Sequence, residues 1–236
     1  MKFLISGSKK LGINLTSKQI EQFESYYHEL IDWNQRINIT HITDYIDVQI
    51  KHFLDSLSII QAWKPKNDEL VLDVGTGAGI PGIPLKLVFP NIKLTLLEAT
   101  NKKVIFLNNI VKILCIEDVE IINGRAEELG HLPKFREKFD IVLSRAVAEL
   151  PTAVELALPF CNIGGMFIAS KKGAITDEMN LSVNAIAILG GKLKEVNAVD
   201  LSEFPDERFL VVIEKISNTP DKFPRRTGMP EKRPIK

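Results

Sequence analysis

The sequence predicts an α/β protein with a doubly wound, mostly parallel sheet, and three observations support this fold class. A short apolar run, Leu70 to Val74, suits a strand buried on both faces and leads straight into a glycine-rich turn and an apolar helix. Later strand-like runs alternate with helical segments at Lys93 to Glu98, Val119 to Ile122, Phe139 to Leu143 and Met166 to Ala169. The last two runs, Leu193 to Val199 and Phe209 to Ile213, are too close for a helical crossover, so they predict a hairpin with one antiparallel strand.

Ahead of the sheet, the sequence predicts a helical cap. Thr16 and Gln19 have the spacing of a capping box, and apolar residues then recur at helical spacing to about residue 34. A second helical stretch is expected over about residues 47 to 63. The chain is therefore expected to have three parts: a cap (1–66), an α/β core (67–216) and a C-terminal tail (217–236).

The turn after the first strand indicates a cofactor. Glycine allows positive φ and a close approach of a ligand to the backbone, and Gly77, Gly79 and Gly82 match the G-x-G-x-x-G spacing of dinucleotide sites. Asp73, two residues before Gly75, favours another cofactor, because its carboxylate would repel a pyrophosphate but tolerates a sulfonium amino acid. The pattern D-x-G-x-G-x-G resembles the first motif of S-adenosylmethionine-dependent methyltransferases.

Residues after the next two strands extend this cofactor site. Glu98 ends the second strand, where a doubly wound fold places its ribose acceptor, although it could instead cap the helix expected from Asn101 to Leu114. Ala126 and Glu127 follow the third strand, where methyltransferases bracket the adenine. The predicted cofactor-binding residues are Asp73, Gly75, Gly77, Gly79, Ile80, Gly82, Glu98, Ala126, Glu127 and Arg145.

Composition and residue spacing argue against a membrane, disulfide-bonded or metal-binding protein. With 236 residues and 45% hydrophobic content, the chain can bury a substantial core, and no apolar run approaches the roughly 18 residues of a membrane span. Cys115 and Cys161 form no C-x-x-C pair and are expected to be reduced core residues of a cytoplasmic protein. The histidines show no metal-ligand spacing, so no metal site is predicted.

The C-terminal tail is basic although the whole chain has a formal net charge of zero. It carries six basic and two acidic side chains, and Phe223 and Met229 could anchor its proline-rich, extended backbone. A solvated terminus and a phosphate-binding segment both fit this composition. The candidate RNA-binding residues are Arg125, Lys171, Lys172, Arg225 and Arg226.

Several motifs in a fixed order extend the likeness over nearly the whole chain. They are Trp33-Asn-Gln-Arg-Ile-Asn-Ile-Thr40, His52-Phe-Leu-Asp-Ser-Leu57, Asp73 to Pro84, Gly124-Arg-Ala-Glu-Glu128, Ser144-Arg-Ala-Val-Ala148 and Phe223-Pro-Arg-Arg-Thr-Gly-Met-Pro230. The chain resembles the bacterial 16S ribosomal RNA guanine-N7 methyltransferases, a family formerly called glucose-inhibited division protein B. Ile80 and Phe223 depart from it slightly, since Phe or Leu and Tyr, respectively, are frequent there.

The resemblance implies a class I methyltransferase fold, S-adenosylmethionine as cofactor, and 16S rRNA or the small ribosomal subunit as partner. The residues agree with N7 chemistry. Amine methylation commonly uses Asn or Asp before Pro-Pro after the fourth strand, where this chain has Ser144-Arg145, and pyrimidine-carbon methylation usually needs an activated thiolate. Purine N7 has a free lone pair and needs no general base, so positioning suffices.

Arg145 is the main candidate in the reaction site, and we expect it to bind the guanine O6, a phosphate or the cofactor carboxylate. Asn38 and His52 are weaker candidates for the substrate site, and His52 could equally be structural. Three other functions remain open from the residues alone: a small-molecule methyltransferase, a dinucleotide oxidoreductase and a non-catalytic cofactor- or RNA-binding module.

Overall fold

The computed structural model describes residues 1–66 and 68–235, and a seven-stranded sheet lies at the centre of this part of the chain. The strands are β1 (Leu70–Val74), β2 (Lys93–Glu98), β3 (Val119–Asn123), β4 (Phe139–Arg145), β5 (Cys161–Lys172), β6 (Gly191–Ala198) and β7 (Arg208–Lys215). Their order is β3-β2-β1-β4-β5-β7-β6. Strands β1 to β5 pair in parallel, and β7 is antiparallel to both β5 and β6. The predicted mostly parallel sheet and its final hairpin are confirmed.

Helices cover both faces of the sheet. They are α1 (Lys2–Lys10), α2 (Ser17–Ile37), α3 (Tyr45–Val48), α4 (Asp55–Leu57), α5 (Gly82–Val88), α6 (Asn101–Ile113), α7 (Ala126–Leu129), α8 (Leu150–Ala157), α9 (Thr176–Ile188) and α10 (Met229–Lys232). The predicted capping box begins α2: Gln19 N donates to Thr16 Oγ1 at 3.2 Å, and Thr16 N donates to Gln19 Oε1 at 2.9 Å.

The second helical stretch of the cap is present but irregular. A π-helical segment, Gln49–Leu54, joins α3 to α4, and a 3₁₀ turn, Ser58–Gln61, follows. Such π segments are frequent at functional sites. This one carries Lys51 and His52, so the irregularity lies where one of the predicted site residues is found.

The cap packs on one face of the sheet. Its buried Phe23, Leu30 and Phe53 belong to the same apolar core as Val71 of β1 and Ile141 of β4. Polar contacts add to this packing, because Gln19 and Gln22 of α2 donate their side-chain amides to the carbonyls of Leu87 and Leu114 at 2.9 and 2.7 Å. The cap is therefore attached to the sheet by a shared core.

The C-terminal tail packs on the opposite face. Phe223 is buried, as expected of an anchor, in the second apolar core with Leu72 and Val142. The guanidinium of Arg136 donates to the carbonyls of Thr219 and Phe223 at 2.6 and 2.9 Å. The tail thus lies against the core, and Met229–Lys232 form α10 where an extended backbone was expected. Among the residues of the tail that the structure describes, the exposed basic ones are Lys222, Arg226, Lys232 and Arg233.

The two cysteines have different environments. Cys161 is buried at the start of β5, and burial raises the pKa of its thiol to about 12. The prediction that Cys115 is a core residue is wrong: it follows α6 with a φ of 51° and is exposed, while its apolar neighbour Leu114 turns inward. Within residues 1–66 and 68–235, no helix has the length and apolar character needed to cross a membrane.

Candidate active site

The glycine-rich turn lies where the order of the strands reverses. Strand β1 pairs with β2 on one side and with β4 on the other, and open α/β sheets bind ligands outside the carboxyl ends of strands at such a point. The turn follows β1, and the loop that begins at Arg145 follows β4. These segments touch, because a Cβ added to Gly75 would lie 2.8 Å from Val147 Cγ2. Two motifs far apart in sequence therefore meet in one crevice.

Asp73 lies under the turn and is fully buried. Its Oδ2 accepts hydrogen bonds from Thr76 Oγ1 at 2.6 Å and Gly82 N at 2.9 Å, while Oδ1 has no hydrogen-bond partner among the described residues. Burial raises the pKa of Asp73 to about 7 against the lowering effect of those two bonds. The contacts visible in the structure thus hold the turn in place and join it to the start of α5.

The glycines of the turn are required by its backbone. Gly75, Gly77 and Gly79 have φ values of +66°, +59° and +85°, in the region that L side chains rarely adopt. At Gly77 a Cβ would meet only the carbonyl oxygen of Gly75, at 3.9 Å, so the requirement there is conformational rather than steric. Tyr26 of α2 donates its hydroxyl to the carbonyl of Ala78, which attaches the cap to the same turn.

Glu98 joins the end of β2 to this turn. Its buried carboxylate accepts from Gly77 N at 2.9 Å and from Thr100 N at 2.8 Å. An ionised carboxylate has about four lone-pair sites, so these bonds leave acceptor capacity on both oxygens. Its binding to ribose hydroxyls stays a prediction.

The remaining predicted cofactor residues lie in two different parts of the fold. Ala126 and Glu127 begin α7 and are buried, and Glu127 Oε1 accepts a hydrogen bond of 3.0 Å from Gly228 N in the tail. Ile80 is buried in the apolar core on the cap side. Arg125 precedes α7 and is exposed. The tail therefore reaches the position expected for the adenine.

Arg145 connects the sheet to the cap. Its Nη1 donates to the carbonyl of Lys51 at 2.6 Å and to Asp55 Oδ2 at 2.8 Å, and its Nη2 lies 2.9 Å from His52 Nδ1. Nδ1 also lies 3.2 Å from the carbonyl oxygen of Lys51, but because the guanidinium can only donate, Nδ1 accepts from Arg145 and does not donate to that carbonyl. The proton of the neutral imidazole is then on Nε2, which donates to Thr40 Oγ1 at 2.9 Å.

His52 is uncharged at neutral pH. Burial, followed by the positive charge of Arg145, lowers the pKa of its imidazole to about 3. Both ring nitrogens are already engaged, by Arg145 and by Thr40. In this arrangement the lone pair of Nδ1 is directed at the Arg145 guanidinium, and Nε2 carries the proton. Asn38, the other cap candidate, is an exposed C-cap of α2 with a φ of 50°, and it is Thr40 that contacts His52.

A cavity of about 950 Å³ lies between the cap, the ends of β4 and β5, and the start of β7. Its lining includes Thr40, His52, Arg145, Ser170, Lys171 and Arg208. Lys171 donates to the carbonyl of Ala148 and forms an ion pair of 2.7 Å with Glu178, whereas Lys172 is exposed. Sequence reasoning missed Thr40, Asp55 and Arg208. Thr40 and Asp55 were within the quoted motifs, but nothing local indicated Arg208.

The two arginines of the tail have different partners. Arg225 faces Glu155, which is fully buried, with Nε at 2.9 Å from Oε1 and Nη2 at 2.6 Å from Oε2. Arg226 is exposed. The Arg225 guanidinium thus has an internal carboxylate partner, because its side chain turns toward α8, and its contact with RNA stays a prediction. Within the described ranges, no group of three His, Cys, Asp or Glu residues is placed to hold a metal ion.

The fold agrees with solved methyltransferases of low sequence identity. A S-adenosylmethionine-dependent methyltransferase from Aquifex aeolicus superposes with a TM-score of 0.57 at 16% identity, covering 76% of this chain and 97% of that one. A precorrin-6y C5,15-methyltransferase from Geobacter metallireducens gives 0.53 at 16% identity over 69% and 87% of the two chains. The architecture is that of class I S-adenosylmethionine-dependent methyltransferases.

Closer relatives are found by sequence. "Ribosomal RNA small subunit methyltransferase G" of Dehalococcoides mccartyi strain BAV1 is 53% identical over 235 residues, covering 100% of both chains. The protein of the same name from Caldanaerobacter subterraneus subsp. tengcongensis is 47% identical over 100% of this chain and 98% of its own. Residues 19–206 match the family described as "GidB: rRNA small subunit methyltransferase G". The chain therefore belongs to the rRNA small subunit methyltransferase G family.

Proposed function

We propose that this protein transfers the methyl group of S-adenosylmethionine to N7 of one guanine in 16S rRNA. The observation that carries the proposal is a cavity at the end of β4 whose two buried ionisable groups, His52 and Asp55, are already engaged. His52 is neutral with both nitrogens bonded, and Asp55 faces Arg145 and Arg208. Such a site suits an acceptor atom that has no proton to lose, which is the case for guanine N7.

The residues of the crevice fit the cofactor. The positive-φ glycines expose backbone after β1, and Glu98 has acceptor capacity left beside them. The buried Asp73 carboxylate supports the turn from below, where a pyrophosphate would be repelled. When bound, S-adenosylmethionine supplies an electrophilic methyl group on a sulfonium centre. The chain then has to orient the base, exclude water and keep the cap in place, and positioning of this kind can contribute about 7 to 11 kcal/mol.

Arg145 has an indirect part in this proposal. Its contacts with Lys51, His52 and Asp55 hold the cap against the end of β4 and so shape the cavity. The guanidinium lies at the edge of the site, where it does not oppose the positive charge that develops on the methylated ring. We propose it as a positioning residue that can also contact the guanine O6, a phosphate or the cofactor carboxylate.

Exposed basic residues of the core and tail are proposed to contact the RNA backbone. Arg125, Lys172 and Arg226 are exposed, and the tail also exposes Lys222, Lys232 and Arg233. Phosphate contacts position an RNA, whereas an unpaired or flipped guanine enters the cavity. The protein would act in the cytoplasm, on free 16S rRNA or on the small subunit.

The direct test incubates the full chain with labelled S-adenosylmethionine and either deproteinised 16S rRNA or small subunits, and maps the modified base. We expect label on N7 of a single guanine. A tRNA substrate serves as the control for general RNA methylation. Label only on small molecules, on an exocyclic amine or on a pyrimidine carbon would overturn the proposal. Cofactor binding without any transfer would show a non-catalytic module.

A further inference from the structure

The helix that carries the predicted adenine contacts is too short to be stable by itself. α7 spans only the four residues Ala126–Leu129, whereas isolated helices shorter than roughly 12 residues are marginal in water. Its first two residues, Ala126 and Glu127, are buried. The position of α7, and with it the shape of the predicted adenine site, must therefore come from the elements that pack on this helix.

The C-terminal tail binds α7 through two consecutive residues. Gly228 N donates to Glu127 Oε1 at 3.0 Å, and Thr227 Oγ1 donates to Glu128 Oε1 at 3.1 Å. Glu127 is buried, whereas Thr227 and Glu128 are exposed. A hydrogen bond to a carboxylate is stronger where water is excluded, so the bond from Gly228 is the more important of the two.

The tail also packs on the end of α7. Gly130 is the C-cap of this helix, and a Cβ added to it would lie 2.8 Å from Pro224 Cγ. The carbonyl oxygen of Pro224 accepts a hydrogen bond of 2.7 Å from Nε2 of His131, because a carbonyl can only accept. Phe223 and Ala126 belong to the same apolar core. Contacts with the tail thus reach both ends of α7.

The bond to Glu127 depends on an unusual backbone conformation at Gly228. This residue precedes α10 and has a φ of +78°, which L side chains rarely adopt. A Cβ added to it would meet no atom of the described residues within 4 Å, so the requirement for glycine is conformational and not steric. Gly12, after α1 in the cap, has a φ of +79° and surroundings that are equally open within the described part of the chain. It provides a matched control.

We propose that the tail, through Gly228, positions Glu127 for the adenine end of S-adenosylmethionine. This inference rests on the proposed function, since it takes Ala126 and Glu127 as adenine contacts. Gly228 is a positioning residue that acts through the Glu127 carboxylate. A side chain at position 228 disfavours the φ that directs the backbone N–H at Oε1. The cofactor then has to order α7 as it binds, and its affinity falls because the site is no longer pre-organised.

The test measures the Kd of S-adenosylhomocysteine by titration calorimetry, without RNA, together with the melting temperature of each full-length variant. Gly228→Ala should raise the Kd by about tenfold, as expected for the loss of one hydrogen bond to a charged group. Asparagine adopts positive φ more readily than alanine, so Gly228→Asn should retain most of the affinity. Gly12→Ala introduces the same backbone strain in the cap and should leave the Kd unchanged.

A double-mutant cycle with Glu127→Ala tests whether Gly228 acts through this carboxylate. Glu127→Ala alone should raise the Kd at least as much as Gly228→Ala does. In the double variant, Gly228→Ala should add less than about a twofold change, because the group it positions is already absent. In the methylation reaction, Gly228→Ala should raise the KM for S-adenosylmethionine by about tenfold and leave kcat at saturating cofactor unchanged.

An unchanged Kd in Gly228→Ala, an equal rise in Gly12→Ala, or an undiminished effect of Gly228→Ala on top of Glu127→Ala would overturn the inference and leave the proposed function intact. A lower melting temperature in Gly228→Ala with a wild-type Kd would assign Gly228 a purely structural role, which also contradicts the inference. A wild type that binds no S-adenosylhomocysteine, or binds it but methylates no guanine N7, would instead overturn the proposed function.

Discussion

Replacing Arg225 with alanine should destabilise the protein strongly, although Arg225 belongs to a terminal segment that looks solvated in the sequence. Glu155 of α8 is fully buried, and the Arg225 side chain is 26% exposed at its side. The guanidinium donates to both carboxylate oxygens, at 2.9 Å from Nε and 2.6 Å from Nη2, and the backbone N of Arg225 adds a bond of 2.8 Å. Alanine retains only the backbone bond and leaves a buried carboxylate without its counter-charge.

Removing one member of a buried ion pair lowers the free energy of unfolding by about 3 to 5 kcal/mol, which is a large part of a total of about 5 to 15 kcal/mol. For a chain of this length the loss corresponds to a fall of about 6 to 20 °C in the melting temperature. The neighbouring Arg226 is exposed, so Arg226→Ala is the matched control and should change the free energy of unfolding by less than about 0.5 kcal/mol.

The free energy of unfolding is to be measured by urea denaturation for the wild type, for both alanine variants, and for Glu155→Gln alone and combined with Arg225→Ala. The combined variant should be more stable than Arg225→Ala, because removing the charge of Glu155 removes the group left unpaired. A loss below about 1 kcal/mol in Arg225→Ala, or a loss equal to that of Arg226→Ala, would refute the reasoning.

Three further predictions concern the site and the RNA contacts. Burial raises the pKa of Asp73 from 3.8 to about 7, so the folded state holds this proton more tightly and the wild type loses stability as the pH rises from about 4 through about 7. Asp73→Asn lacks this dependence. Urea denaturation at several pH values should therefore show the stability of the variant, relative to that of the wild type, rising across this window by up to about 1.4 kcal/mol per pH unit. A stability difference that does not vary with pH would contradict this. Arg145→Ala should lower both kcat/KM for methylation and the melting temperature, because it removes three contacts with the cap. If this variant kept wild-type methylation and cofactor affinity, the role assigned to Arg145 would be wrong. Arg226→Ala should reduce the slope of log K against log salt concentration for RNA binding by about 0.7, the share of one phosphate contact. The control is Lys194→Ala, at an exposed position of the edge strand β6. Equal slopes in the wild type and Arg226→Ala would exclude the contact.

The fold was largely predictable because its signals are local. The apolar run of β1, the glycines after it and the capping box at Thr16 each depend on residues within one element, and each is found as predicted. The hairpin followed from a connection too short for a crossover. These local patterns do not give the position of a strand within the sheet. For example, β7 is the last strand in sequence but lies between β5 and β6.

Candidate site residues could be chosen from the sequence, but several of their partners in the fold could not. Asp73, Glu98 and Arg145 were selected by type and by position after a strand, yet in the structure Asp73 and Glu98 bind backbone groups of the turn and Arg145 binds the cap. These partners are 9, 21 and 94 positions away in sequence. Pairings over such distances depend on how the elements pack, which periodicity and motif spacing do not describe.

The sequence by itself determined the fold class, the glycine-rich turn and the family, because these depend on short patterns and on side-chain chemistry. Only the tertiary structure decided that His52 is uncharged and that Arg225 is paired with Glu155. Burial and the charge of a neighbouring side chain act through space, between residues far apart in sequence. It also placed Asp55 of the cap within ion-pair distance of both Arg145 and Arg208, which lie on different strands. Contacts between residues far apart in sequence are a property of the packed molecule, so only the folded chain can show them.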